Sequence, residues 1–448
     1  MSLYKAWFIP VLLSIPVLAR AADVITLEQA VERALQADPR IEERQRLVDA
    51  ARALLQEAVG SDDLIFDVNT FIALAPRVDG GLYANDGVTL RSDKYDLDDV
   101  SSWTNVQFSI IKPLYTFGKI ENYADAAQGN IEVKQGDVRI QQGNTIIDVN
   151  RAYYGYLTAR DTRYLFEDVI SRLNKAIDLV KRWLDEGNNN VRQSDLYALQ
   201  SGRALINKFL SQAIAVENIA LDGLKVLINA GLDSELEVAD KRIAPGSLPQ
   251  TSLEEFNRQA LEKRPEMMQL EAGLKARRAL VAANKAESLP NVYAGIAGAA
   301  AYSPDRSRLD NPFIYDPFND YGATPLLGIQ WNWATGVQRA RVARAKAELD
   351  ALVEKSSFAQ RGIPFEVAEQ YHQVQAYNNA VQDLAEGSRA ARRWMISTYA
   401  DFEAGLDEAE DVLTAFQGYV LIHSDYLSTV NDFNMHLVKL QFVTGNLP

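Results

Sequence analysis

Carboxylates are the reactive side chains this sequence concentrates. Glu403, Asp407, Glu408, Glu410 and Asp411 fall close together, and Asp185, Glu186 and Asp195 form a looser set in the first half. Closely set carboxylates repel one another, attract cations and need pairing to stay packed. Ser194-Asp195 and Glu410-Asp411 are also residues that helix N-termini use as caps and dipole partners, and the two roles can coexist. His372, His423 and His436 stand singly on helical stretches, where packing or exposure is the ordinary role. There is no glycine-rich loop followed by Lys and no nucleophile elbow. The absence of cysteine excludes thiolate nucleophiles, Cys-ligated zinc, iron–sulfur clusters, disulfides and a lipid on an N-terminal cysteine. The expectation is a non-enzyme with no metal site and no cofactor.

The elements that position these acids come from an ordinary globular composition. The 448 residues are 47% hydrophobic and 24% charged, with 46 basic and 60 acidic side chains and a net charge of -14. Such a balance offers no basic field for nucleic acid. Residues 1–21 read as an export signal: Lys5, an apolar stretch from Trp7 to Leu18, and Ala19-Arg20-Ala21 as the cleavage site. Its removal takes Lys5 and Arg20, leaving 44 bases against 60 acids, or -16. Beyond it no apolar run of about 18 residues follows, so membrane-spanning helices are excluded.

The chain repeats itself. Leu27-Glu28-Gln29, Ala34-Leu35 and Pro39 return as Leu253-Glu254-Glu255, Ala260-Leu261 and Pro265, 226 positions on. Phe117-Gly118, Val149, Tyr153 and Gly187 correspond to Thr335-Gly336, Val367, Tyr371 and Gly405, 218 positions on. Residues 22–448 are therefore expected to be a single duplicated domain, with repeat one at about 26–231, a linker at about 232–251 near Ala244-Pro245-Gly246, and repeat two at about 252–445.

Each repeat opens with a helical segment, 26–59 or 252–286, capped by Thr26 or Ser252. Period-2 alternation follows. Phe66, Val68, Thr70, Ile72 and Leu74, a mostly apolar face, alternate with Ile65, Asp67, Asn69, Phe71 and Ala73, a more polar one; Val106, Phe108 and Ile110 alternate with Asn105, Gln107 and Ser109. Val292, Ala294 and Ile296, then Leu327, Ile329, Trp331 and Trp333, repeat it. This predicts four strands of about ten residues. Residues 77–103 and 303–323, with Asp86, Asp93, Asp96, Asp98 and Asp99, read as long solvated loops. After each strand pair comes an uninterrupted 68-residue helical stretch, Lys119 to Glu186 or Val337 to Ala404, roughly 100 Å at 1.5 Å per residue, implying a coiled-coil-like assembly. Return helices are expected at 194–229 and 408–443, with tip turns at Gly187 and Gly405. Gly129, Gly136 and Gly143 recur every seven residues, marking either a close helix approach or a tolerated small-residue seam. Pro364 should kink the second long helix or remove a hydrogen bond.

Strands with one apolar face, long loops and nearby aromatics (Trp103, Tyr115, Tyr293, Trp331, Trp333) fit a transmembrane β-barrel with an interface belt. Four strands cannot close one, and an open edge in lipid is forbidden, so a membrane role demands oligomerisation.

The pattern resembles the outer membrane efflux proteins of the TolC type over essentially the whole mature chain. Leu27-Glu28-Gln29-Ala30-Val31 with Asp38-Pro39, Pro113-Leu114-Tyr115-Thr116-Phe117-Gly118, Ser288-Leu289-Pro290-Asn291-Val292, and Glu403-Ala404-Gly405 with Asp411-Val412-Leu413 carry it. Their order and duplication make the match specific. The resemblance implies an α+β membrane protein. Long antiparallel helices of a homotrimer form an α-helical tunnel in the periplasm, and four strands per protomer build a twelve-stranded transmembrane β-barrel in the outer membrane of a Gram-negative bacterium. It implies a passive exit duct of a tripartite efflux pump or type I secretion system, with outer membrane lipid, a periplasmic adaptor and an inner-membrane pump of RND or ABC type as partners. Asp411, and with it Asp195, would lie at the periplasmic entrance, with Glu410, Asp407 and Glu403 in the same ring of acids. Two departures stand out: Trp331-Asn332-Trp333-Ala334-Thr335-Gly336 after the fourth strand, and two extra residues within Asn188-Asn189-Asn190-Val191 at the first tip. From another class, a soluble periplasmic coiled-coil adaptor or structural spacer would need neither alternating strands nor an aromatic belt.

Overall fold

The computed structural model describes residues 23–77, 88–89, 100–187, 191–304, 306, 308, 313, 315–332 and 334–447. The export signal, Asn188 to Asn190, Trp333 and the acids Asp86, Asp93, Asp96, Asp98 and Asp99 lie outside them.

Fourteen elements are assigned among the described residues: β1 (Asp23–Ile25), α1 (Leu27–Ala37), α2 (Pro39–Gly60), β2 (Ile65–Pro76), β3 (Val100–Tyr115), α3 (Lys119–Asp185), α4 (Gln193–Leu227), β4 (Leu236–Val238), α5 (Leu253–Lys263), α6 (Pro265–Ala286), β5 (Asn291–Tyr302), β6 (Tyr321–Gln330), α7 (Thr335–Glu403) and α8 (Ala409–Val443). The series helix, helix, strand, strand, long helix, return helix occurs twice.

The opening helical segment of each repeat is two helices, where the sequence pattern alone predicts one. Proline has no N–H for the helical ladder and pushes the residue before it into extended backbone. Asp38 (ψ 112°) and Arg264 (ψ 131°), which precede Pro39 and Pro265, take that conformation. Upstream, Gln29 N–H donates to Thr26 Oγ1 at 3.3 Å and Thr26 N–H to Gln29 Oε1 at 3.1 Å, a capping box that fixes where α1 starts. In α7 Pro364 leaves the helix continuous from Thr335 to Glu403, so its consequence there is a missing N–H donor.

The contacts divide the chain across the repeats. One compact unit takes residues up to 42, 140–264 and from 363 onward; the other takes 43–139 and 265–362. Each draws on both repeats: the strand pairs of the two copies join edge to edge through β3 and β5 into one sheet, and the helix pairs of the two copies bury their apolar sides in a shared core.

The first unit is helical apart from β1 and β4, which pair in parallel through Asp23 and Leu236. Its core runs along α3, α4, α7 and α8 through Leu173, Ile177, Leu199, Met395, Phe402, Val412 and Phe416. The segment after β4 is strapped to this bundle. Tyr153 Oη donates to Asp240 at 2.7 Å, Ile243 N–H to Asp161 at 2.9 Å, and Gly246 N–H to Asn434 at 2.8 Å. Here the sequence suggests a plain linker; β4 and these bonds show a packed strand and strap.

The second unit holds an antiparallel four-stranded sheet in the order β2-β3-β5-β6. Its helices meet at the glycine seam. A Cβ on Gly129 would stand 2.8 Å from Ala276 Cβ, and one on Gly136 would strike Gln269 of α6. In the first unit Gly143 stands equally close to Phe442 of α8. The seven-residue spacing is thus a close helix approach.

Candidate functional site

Two places bring sequence-marked residues together, one in each unit. In the helical unit the long helices turn back in matched hairpins. Gly187 (φ +71°) and Gly405 (φ +77°) end α3 and α7 in left-handed backbone, where glycine carries no Cβ penalty. Gly405 N–H bonds Phe402 O at 2.9 Å and Leu406 N–H bonds Asp401 O at 2.8 Å, the paired bonds of a Schellman stop. The returning helices start alike. Asp195 Oδ2 accepts from Arg192 N–H at 2.8 Å and Asp411 Oδ2 from Glu408 N–H at 3.3 Å. Each aspartate is therefore the third residue of its helix and holds the residue before it, where the helix dipole also favours a negative charge.

Packing beneath the turn holds these acids in place. Phe402 meets Trp183 edge-on at 5.4 Å, and Tyr399 stacks on Phe416 at 6.0 Å. Burial and the neighbouring Glu403 carboxylate push the Tyr399 phenol up to about 12. Glu403 closes α7, while Glu410 and Asp411 occupy the exposed first turn of α8 and Asp407 the half-buried turn before it. Among the described residues no cluster of His, Cys, Asp or Glu has the arrangement of a metal site.

In the sheet unit the register sorts side chains by chemistry. Phe66, Val68 and Ile72 of β2 stand opposite Ile110, Phe108 and Thr104 of β3; Ile110 and Phe108 stand opposite Ile296 and Gly298 of β5; Ala294 and Val292 face Leu327 and Ile329 of β6. One face is predominantly apolar, interrupted by Thr70, Ser102, Thr104 and Lys112; on the outer strands Ile72 and Leu327 are each exposed to 75%, while Phe108, Ile110, Val292 and Ala294 on the inner strands are half-buried. The opposite face is more polar: it carries Asp67, Asn69, Asn105, Gln107, Ser109 and Thr324, interspersed with Ile65, Phe71, Trp103, Ile111, Tyr293 and Leu326. Each outer strand, β2 and β6, has one free edge.

The aromatic residues divide between the faces. Tyr115 pairs with Val292 at one end of the apolar face, and exposed Trp331 follows β6 at that end, its indole N–H donating to Ser288 O at 3.0 Å. Tyr302 and Tyr321, exposed to 65% and 76%, mark the other end; the alternation rule could have found them, since each keeps the parity of the apolar set. Trp103 and Tyr293 lie on the polar face instead. Trp103 packs between Phe71 at 5.0 Å and Phe318 at 4.9 Å, and Tyr293 lines a cavity of about 910 Å³ with Lys119, Tyr123 and Glu287. Their strand parity is odd where the apolar set is even, so neither has the placement of a lipid-facing belt residue.

Against known families, residues 257–445, nearly all of repeat two, match the model of the outer membrane efflux proteins. Among solved structures the chain resembles the outer-membrane channel OprN (TM-score 0.74, 18% identity, 94% of this chain and 89% of that one). It also resembles VceC from Vibrio cholerae (0.73, 13%, 94% and 96%) and the open-state MtrE outer membrane channel from Neisseria gonorrhoeae (0.72, 17%, 94% and 88%). No curated protein matches it in sequence. The sequence likeness to the outer membrane efflux proteins thus covers the second repeat, and the likeness in fold to solved outer-membrane channels spans both repeats.

Proposed function

We propose that the protein is the exit duct of an export machine, a passive outer-membrane channel that three copies build together. The observation that carries this is the sheet: one predominantly apolar face, one more polar face and two unpaired edges among the described strands. A free strand edge in hydrocarbon leaves backbone groups unsatisfied at several kcal/mol each. Pairing β6 of one copy with β2 of the next removes every edge, and three copies of four strands give twelve. Val292 and Tyr302 stand ten positions apart on β5, roughly 33 Å at 3.3 Å per residue. A tilt of about 40° projects this to roughly 25 Å, the height of the lipid-facing band of outer-membrane barrels.

The helical hairpins supply the periplasmic end. Three copies turn Asp195 and Asp411, with Glu403, Asp407 and Glu410, into rings of carboxylates around an entrance, with Gly187 and Gly405 shaping its rim. Repulsion within a ring favours opening, and the caps each aspartate makes favour the ordered, closed tip. An inner-membrane pump and its periplasmic adaptor would engage there. A soluble periplasmic spacer is disfavoured, since it would leave Phe66, Val68, Ile72, Leu74 and Leu327 in water. Membrane fractionation with native mass measurement tests the reading: a heat-modifiable trimer in the outer membrane supports it, and a soluble periplasmic monomer refutes it.

A further inference from the structure

In the loop after β5, read from sequence as solvated, the described residues Ser303, Arg306, Phe318 and Asn319 pack onto the more polar face of the sheet at the end remote from the helices. Phe318 packs against Trp103 at 4.9 Å with the rings tilted by 59°, and the Arg306 guanidinium sits 4.1 Å above the Phe318 ring while donating to Pro76 O at 2.8 Å. Ser101 and Ser303 share a hydrogen bond of 2.7 Å; Asn319 accepts from Ser303 N–H at 2.8 Å and donates to Arg306 O at 2.8 Å. Around these contacts Ala75, Ser101 and Asn105 of the strands and Ser303 and Asp316 of the loop are buried, whereas the other described residues of β2 and β6 are exposed or half-buried.

Strand parity fixes which side the loop covers. Phe71, Trp103 and Asn105 alternate with Ile72, Thr104 and Val106, so the stack lies on the side of Asp67, Asn69 and Gln107. In a closed barrel that side is the bore. The cover is also incompletely satisfied: Trp103 Nε1 and Asn105 Oδ1 are buried without a hydrogen-bond partner. Buried groups of that kind cost stability that contact with water or a polar solute would restore.

We propose that Trp103, Phe318 and Arg306 form a size-limiting constriction at the outer mouth of the bore, distinct from the acidic helix tips, and present an aromatic and cationic surface to the solute leaving it. This rests on the duct reading. Three copies would place three such stacks around one opening. An aromatic or amphiphilic solute could pack against Trp103 where Phe318 does, and three guanidiniums would favour anionic over cationic groups at this point.

The cysteine-free chain allows a direct test. Single cysteines are placed at Gln107, on the polar face below the stack, and at Tyr315, 72% exposed in the loop. Intact cells are then treated with membrane-impermeant maleimides of graded size. Tyr315→Cys should label with all sizes, and Gln107→Cys with small reagents only. Adding Phe318→Ala or Arg306→Ala should raise large-reagent labelling of Gln107→Cys at least tenfold, whereas Phe318→Tyr should keep the original rate; heat-modifiable trimer on gels reports that each variant folds. Equal labelling of Gln107→Cys by every reagent size, or no acceleration in a folded Phe318→Ala variant, overturns the constriction while leaving the duct intact. No labelling at Tyr315→Cys overturns the duct reading itself, and the constriction with it.

Discussion

Asp38 and Arg264 occupy the same position in the two repeats, 226 residues apart, and carry opposite charge. Each stands buried before the proline that breaks an opening helix. Asp38 accepts from Arg40 at 2.8 Å and from Thr145 at 2.5 Å, and Arg40 reaches on to Asp148 at 3.0 Å. Arg264 instead donates to Glu366, the counterpart of Asp148, at 2.6 Å. The geometry of the break is kept while its charge is reversed. Asp38→Asn should therefore destabilise the fold by about 1–3 kcal/mol, because Arg40 and Thr145 lose a charged partner. Thermal melts by circular dichroism check this; an unchanged midpoint contradicts it.

Two buried aspartates should give opposite pH signatures. Burial works against the Asp38 charge, but the hydrogen bonds from Arg40 and Thr145 outweigh it and hold its pKa below the usual 3.8. Its stabilisation is complete above 3.8 and is lost as pH falls through the lowered value. Burial raises the Asp161 pKa despite the Ile243 N–H and Arg242. Its contribution is present below 3.8 and is lost as pH rises through the raised value. Asp161→Asn should accordingly be neutral or stabilising at pH 7, whereas Asp38→Asn destabilises. Melting midpoints across pH 3 to 7 would contradict this if both variants shifted alike.

At the glycine seam, Gly143→Ala gains roughly 1 kcal/mol of helix propensity but forces a methyl into the Phe442 ring, an overpacking cost of about 1–3 kcal/mol. Net loss is expected, and Phe442→Ala in the same chain should recover part of it. Additive effects in the double variant would argue that the contact is slack.

The two sheet faces should tolerate charge differently. Val68→Lys places an ammonium on the apolar face and should cost about 2–4 kcal/mol near the bilayer midplane, lowering the yield of heat-modifiable trimer. Gln107→Lys, on the polar face, should leave that yield unchanged. Equal behaviour would mean that the apolar face does not meet lipid.

Replacing Asp195 and Asp411 together by Ala removes two caps, at about 1 kcal/mol each, and two rings of charge. Unitary conductance should rise. Asn at both positions keeps an acceptor for Arg192 and Glu408 N–H, so it separates the cap from the charge: conductance returning to the original level assigns the closed state to capping, and conductance as high as with Ala assigns it to charge.

Much of this was readable from residue spacing. Alternation along Phe66 to Leu74 gave a true strand and a true face, and Gly187 and Gly405 gave both helix stops, because each rests on a rule local to a few residues. The missed features depend on contacts distant in sequence. Trp103 and Tyr293 look like belt residues by type, but register with β2 and β6 puts them on the polar face. The loop over Trp103 is polar and turn-rich, so its sequence reads as solvated, while Phe318 and Arg306 find partners more than 200 positions away. Likewise the linker resembles a plain spacer until Asp161 and Asn434 are seen to bind its backbone.

The most direct test is planar-bilayer recording from detergent-purified full-length protein whose fold is confirmed by circular dichroism. Discrete ion-conducting steps from a trimeric species are the predicted result. Folded protein that gives no conductance at any concentration or voltage would contradict the account.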